Sequence, residues 1–101
     1  MDKKLKTKWV KALRSGKYRQ WTEGDLKRTN ERDQPMFCCL GVLRDLADPK
    51  DRRSQGDRGC YLNSTHLKVF GLSDDDQQEL ATMNDEGKSF KKIAAHIEKN
   101  L

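Results

Sequence analysis

Residues 3–15 read "KKLKTKWVKALRS", and Leu5, Trp9, Ala12 and Leu13 recur in it at spacings of three and four. That period puts them on one face of a helix. Lys4, Lys8 and Lys11 then share the opposite face, and Gly16 is placed to stop the helix in the left-handed conformation. Over 17–29 the helical period is lost. Tyr18 and Trp21 are good strand formers and "EGD" is a turn signal, so a short antiparallel hairpin is expected. "NERDQP" reads as a polar loop closed by Pro35.

The helical period returns over 36–47, "MFCCLGVLRDLA", as a broad apolar arc fit for a buried helix, ended by Asp48-Pro49. Residues 48–59, "DPKDRRSQGDRG", read as a long charged loop, and loops concentrate binding residues. "CYL" at 60–62 is a further strand candidate. "STHLKVFG" reads as a short helix capped by Ser64 and stopped by Gly71. "SDDDQQELATMN" opens with Ser73 and Asp76 as a cap pair, with Leu80 and Met83 as its buried positions. The chain closes with a helix capped by Ser89, whose stripe is Phe90, Ile93, Ala94, Ile97 and Leu101. The sum is a mostly helical α+β fold with a small antiparallel sheet, and 1–101 as one domain.

Composition narrows this picture. Apolar residues make up 34% of the chain and charged ones 37%, so the core is thin. No apolar run reaches the length of a membrane span, and the N-terminus lacks an apolar export core, so the expected setting is the cytoplasm. The net charge of +5 is uneven. Residues 1–28 carry ten Lys/Arg against three Asp/Glu, 29–60 carry six of each, and 61–101 carry five against seven. The positive excess is therefore a local patch. Its candidate binding residues are Lys4, Lys8, Lys11, Arg14 and Arg19, with Tyr18 and Trp21 as aromatic partners and Arg52 and Arg53 on the loop.

Candidate chemistry changes little. Cys38 and Cys39 are adjacent, so on a helix they diverge, Cys39 into the apolar arc and Cys38 to its edge. One metal does not easily take both. A zinc set would have to add Cys60 and His66, without the C-x-x-C spacing that marks such sites. The odd cysteine count, without an export signal, argues against a disulfide scaffold and for reduced cysteines in a reducing cytoplasm. His66 and His96 have no nucleophile or carboxylate at a triad spacing. Asp74, Asp75 and Asp76 fit a helix N-terminus better than a calcium loop. "GKSFKKIAAHIE" has the look of the first half of a helix-turn-helix, but no recognition helix follows. No metal, cofactor or enzymatic role is expected.

The ordered motifs "KWVKALRSGKY", "FCCLGVLRDLA" and "MNDEGKSFKKIAAHIE" resemble a family of small uncharacterised proteins carried by bacteriophages and prophages. Many relatives have Cys where this chain has Arg44, which weakens a thiol or metal role further. The resemblance implies a phage accessory protein and no particular mechanism. The expected function is binding and inhibiting a host or anti-phage defence protein. The alternatives are a nucleic-acid module using the basic helix, or a binder of an anionic nucleotide-like ligand.

Overall fold

The computed structural model describes residues 1–22, 27–29, 32, 34–47 and 62–101. Among these residues five helices and a three-stranded sheet run in the order α1 (Lys3–Arg14), β1 (Arg19–Gln20), β2 (Lys27–Thr29), β3 (Pro35–Phe37), α2 (Cys39–Ala47), α3 (Ser64–Phe70), α4 (Asp74–Asp85) and α5 (Phe90–Asn100). The fold is α+β and mostly helical. No described helix is long and apolar enough to cross a membrane.

The helix ends follow local chemistry. Asp2 caps α1 by accepting from the Leu5 N–H at 2.8 Å. Ser73 and Asp76 form a reciprocal capping box on α4, and Ser89 caps α5. On α3 the cap is Asn63, which accepts from the His66 N–H at 2.8 Å. Ser64 is instead the first helical residue, because either neighbour can cap and Asn63 holds the extended backbone a cap requires. Gly71, at φ 73, ends α3 in the left-handed conformation.

The sheet differs from the expected hairpin. Its strand order is β1-β3-β2. β1 runs parallel to β3, with Arg19 opposite Met36 and Gln20 opposite Phe37. β2 runs antiparallel to β3, with Lys27 opposite Phe37 and Thr29 opposite Pro35. The 17–29 segment therefore does not fold back on itself; both its strands use β3. Pro35 opens that central strand, where its missing N–H costs least. Two further contacts bind the Tyr18–Trp21 segment to β3. The Tyr18 ring meets Phe37 edge-on at 5.0 Å, and the Trp21 N–H donates to the Phe37 carbonyl at 2.7 Å.

Because β3 stays extended through Phe37, α2 begins at Cys39, three residues later than the apolar arc indicates. Cys38 is thus not set by helical rotation, and it is fully buried rather than at the helix edge. Its carbonyl accepts from the Val42 N–H at 3.1 Å and its sulfur from the Gly41 N–H at 3.4 Å. Cys38 is therefore the cap of a buried helix, with sulfur in the place of a serine hydroxyl. Its sulfur is also in a disulfide, which corrects the expectation of reduced cysteines; among the described residues Cys39 is the one free thiol. Disulfides persist where the surroundings are oxidising, so the cysteine count no longer argues for a reducing compartment.

The core gathers Trp9 and Leu13 of α1, Leu40, Val42 and Leu43 of α2, Leu80 of α4, and Ile93 and Ile97 of α5. In α4 the buried positions are Gln77, Leu80, Ala81 and Asn84; Met83, expected inside, is half-buried. The loop expected at 48–59 and most of the strand expected at 60–62 lie outside the described residues. Leu62 is buried in irregular backbone, and its N–H donates to Gln77 Oε1 at 3.0 Å.

Candidate functional site: the basic face of α1

Helix α1 lies against α5 and α2 through Trp9, Val10 and Leu13. Burial of that stripe turns Lys4, Lys8 and Lys11 outward, and all three are exposed. Among the described residues, no carboxylate stands at ion-pair distance from any of them. Such charges repel one another and gain nothing from internal pairing, so they form a standing positive field. Arg19 on β1 is also exposed. Arg14 is different: its Nη2 lies 2.6 Å from Glu98 Oε2 of α5, with both side chains about half exposed at 45% and 58%. An exposed pair of this kind contributes little to stability.

The two aromatic candidates have structural duties. Tyr18 is half-buried, and its hydroxyl donates to Asp45 Oδ2 at 2.9 Å. Burial, and then the Asp45 carboxylate, push the phenol up to about 12. Trp21 is half-buried, and its carbonyl accepts from Asn84 Nδ2 at 2.7 Å. Arg52 and Arg53 lie outside the described residues. The face that α1 presents is thus Lys4, Lys8 and Lys11, with Arg14 at its flank, while Arg19 is exposed on β1.

Among the described residues, two grooves border this face. One, of about 770 Å³, has Lys3, Lys6, Lys11 and Arg14 on its walls, with Val10 at its base and Glu98 across from it. The other, of about 310 Å³, runs past Lys8, Lys11, Lys17, Tyr18 and Leu46. Lys11 stands between the two. Lys3, Lys6 and Lys17 join the candidate residues here, and Lys3, Thr7, Val10 and Arg14 recur at helical spacing along one flank. What sequence spacing does not reveal is Glu98, which is brought there by the packing of α5 on α1.

The other candidates resolve into local structure. Cys39 is buried, its thiol donates to the Leu80 carbonyl at 3.5 Å, and burial pushes its pKa up to about 12, which disfavours the thiolate. His96 Nε2 lies 3.6 Å from Glu79 Oε1, and His66 stacks on Phe70. Asp76 completes the α4 capping box, while Asp74 accepts from Gln77 and Gln78. Among the described residues no group of three His, Cys, Asp or Glu is placed to hold a metal ion.

Comparison with curated proteins and with solved structures finds no match to the chain. A family model described as a domain of unknown function (DUF8296) matches residues 1–65, a span that contains α1, the sheet and α2. The basic face and the buried cysteines therefore both lie in the matched part, and the chain belongs to the DUF8296 family.

Proposed function

We propose that this protein is a phage accessory protein that acts by binding rather than catalysis, engaging an acidic surface of a host or defence protein through α1 and inhibiting it. The observation that carries the reading is the row Lys4, Lys8 and Lys11, exposed and without carboxylate partners among the described residues. A surface of one sign speeds the approach of a partner of the other sign and fixes its register. The apolar base of the adjoining groove supports a protein partner, since protein interfaces combine an apolar centre with a charged rim. Capture from bacterial lysate, with and without nuclease, tests this. A protein retained after nuclease treatment and lost with a folded Lys4/Lys8/Lys11→Glu variant fits the proposal. Equal retention by that variant rejects it.

A second reading is nucleic-acid binding, favoured by the same exposed row of Lys4, Lys8 and Lys11 and by a further exposed cation, Arg19, on β1. Its mark is a linear fall of log affinity with log salt, of about 0.9 per phosphate contacted on duplex DNA.

A further inference from the structure

We propose that the groove beside α1 receives an acidic segment of the partner polypeptide, an apolar side chain of that segment resting over Val10 and one of its carboxylates replacing Glu98 on Arg14. This rests on the reading of α1 as a protein-binding face and says how the partner is held.

Among the described residues, the groove is lined by four cations, Lys3, Lys6, Lys11 and Arg14, against one carboxylate, Glu98. Among the described residues Lys3 and Lys11 have no carboxylate at ion-pair distance, and Lys6 Nζ is occupied by the Glu98 backbone carbonyl at 3.3 Å. The charge of the groove is therefore far from balanced from within. Arg14 Nη2 meets Glu98 Oε2 at 2.6 Å, and a guanidinium has the donors to hold a carboxylate from a partner in the same way. Both members of the pair are about half exposed, so a carboxylate from outside can reach Arg14 and Glu98 can swing into water. Glu98 thus holds the position of an incoming acid in the free protein.

The groove also selects the class of ligand. Lys3 to Arg14 spans about 16 Å of helix at 1.5 Å per residue, enough for about five extended residues. Its base is the side chain of Val10 flanked by the aliphatic stems of lysines. A phosphate backbone has charge for the walls but nothing apolar for the base. A peptide that alternates Glu or Asp with Leu supplies both.

The test uses the intact protein and fluorescence anisotropy of a labelled synthetic peptide with a central Leu between Glu residues. Its Leu→Ser analogue and a labelled DNA duplex are the comparisons. The Leu peptide is expected to bind, about tenfold more tightly than the Ser analogue, a difference of about 1.4 kcal/mol. Glu98→Gln should tighten peptide binding several-fold, and Arg14→Gln should weaken it by about tenfold, each variant keeping the wild-type circular dichroism. No peptide binding, equal binding of the Ser analogue, tighter binding of the duplex, or indifference to Glu98→Gln and Arg14→Gln overturns the groove proposal. The wider reading of α1 fails separately, when Lys4/Lys8→Glu, which spares the groove, leaves partner capture unchanged.

Discussion

The indole Nε1 of Trp9 donates to the backbone carbonyl of Cys39 at 2.9 Å, and both residues are fully buried. This one bond joins the centre of α1 to the first residue of α2. It gives the Trp9 side chain an orienting polar contact as well as a packing role. Trp9→Phe keeps most of the apolar area but leaves the Cys39 carbonyl without this donor. The carbonyl keeps its place in the α2 helical ladder, so the expected loss is roughly 0.5–1.5 kcal/mol for the hydrogen bond, with a further cost for the smaller ring's cavity. Urea unfolding of the two proteins measures it; equal midpoints and slopes would show that the bond is dispensable.

Asn84 does similar work from α4. Its Oδ1 accepts from the Cys39 N–H at 3.2 Å and from Gln20 Nε2 at 3.0 Å, while its Nδ2 donates to the Trp21 carbonyl. A single fully buried amide therefore ties α4 to the start of α2 and to the end of β1. Asn84→Ala strands the Cys39 N–H at a buried helix N-terminus, where water does not replace the lost oxygen. Roughly 1–3 kcal/mol is expected from that group alone, with more from the other two bonds. Asn84→Asp offers acceptors but no amide donor and places a charge in the core, so it should be the worse of the pair. Thermal melts of both variants give the order.

Cys39 should behave as a small core residue. It is expected to resist thiol reagents in the native protein and to react on unfolding, while Cys38 should need prior reduction. Its pKa is raised, by burial first, from 9.0 to about 12. The folded protein therefore keeps a proton that the unfolded chain releases as pH passes about 9. Stability from this group is fully present below pH 9 and is lost as pH rises toward about 12. The limiting slope is about 1.4 kcal/mol per pH unit for one proton. Cys39→Ala should lower stability near neutrality by about 1 kcal/mol or somewhat more and flatten this alkaline slope. Tyr18 adds an alkaline slope of the same sign, which Tyr18→Phe removes. An unchanged slope in the Cys39→Ala variant would contradict the burial argument.

Much of the fold was legible where local chemistry decides it. The Leu5–Trp9–Leu13 stripe, the Ser73–Asp76 box, and the Ser89 cap followed by Ile93 and Ile97 are all readable within a few residues. β3 was not, because a three-residue strand has no period and Pro35–Phe37 runs straight into the apolar helix. Its pairing with β1 and β2 is a long-range contact. Asn84, Gln77 and Arg44 are buried polar residues that no pattern marks, since burying such a group depends on partners distant in the chain. For the site, Lys4, Lys8 and Lys11 were visible from helical rotation alone. The groove was not, because Glu98 arrives from α5, and the contacts that occupy Tyr18 and Trp21, with Asp45 and Asn84, are long-range.

Ile97 tests whether α5 is part of the fold or an added arm. It is fully buried, and α5 packs on both α1 and α4. Ile97→Ala should cost roughly 2–5 kcal/mol. In so small a domain that is a large share of the total, so a sharp drop in urea midpoint is expected. The same helix carries Glu98, so loosening α5 should also disturb the groove beside α1. A cooperative, undiminished unfolding transition in the Ile97→Ala variant would remove α5 from the core.

The last prediction separates what the α1 lysines do for the fold from what they do for binding. Lys4 and Lys8 are four apart and Lys8 and Lys11 three apart, so on α1 they are neighbours of like sign. Like charges at these spacings destabilise a helix by about 0.2–0.5 kcal/mol per pair at low salt. Replacing all three by Gln should therefore leave the protein as stable as before or slightly more so. The gain should vanish as salt screens the repulsion, since the Debye length falls to about 10 Å at 0.1 M. Partner association should move the other way, slowing most at low salt, where attraction is strongest. Thermal melts and association rates across a salt series test both halves. If the triple Gln variant is less stable at low salt, these lysines are contributing to the fold. They would then no longer stand as a surface whose cost to stability implies a use in binding.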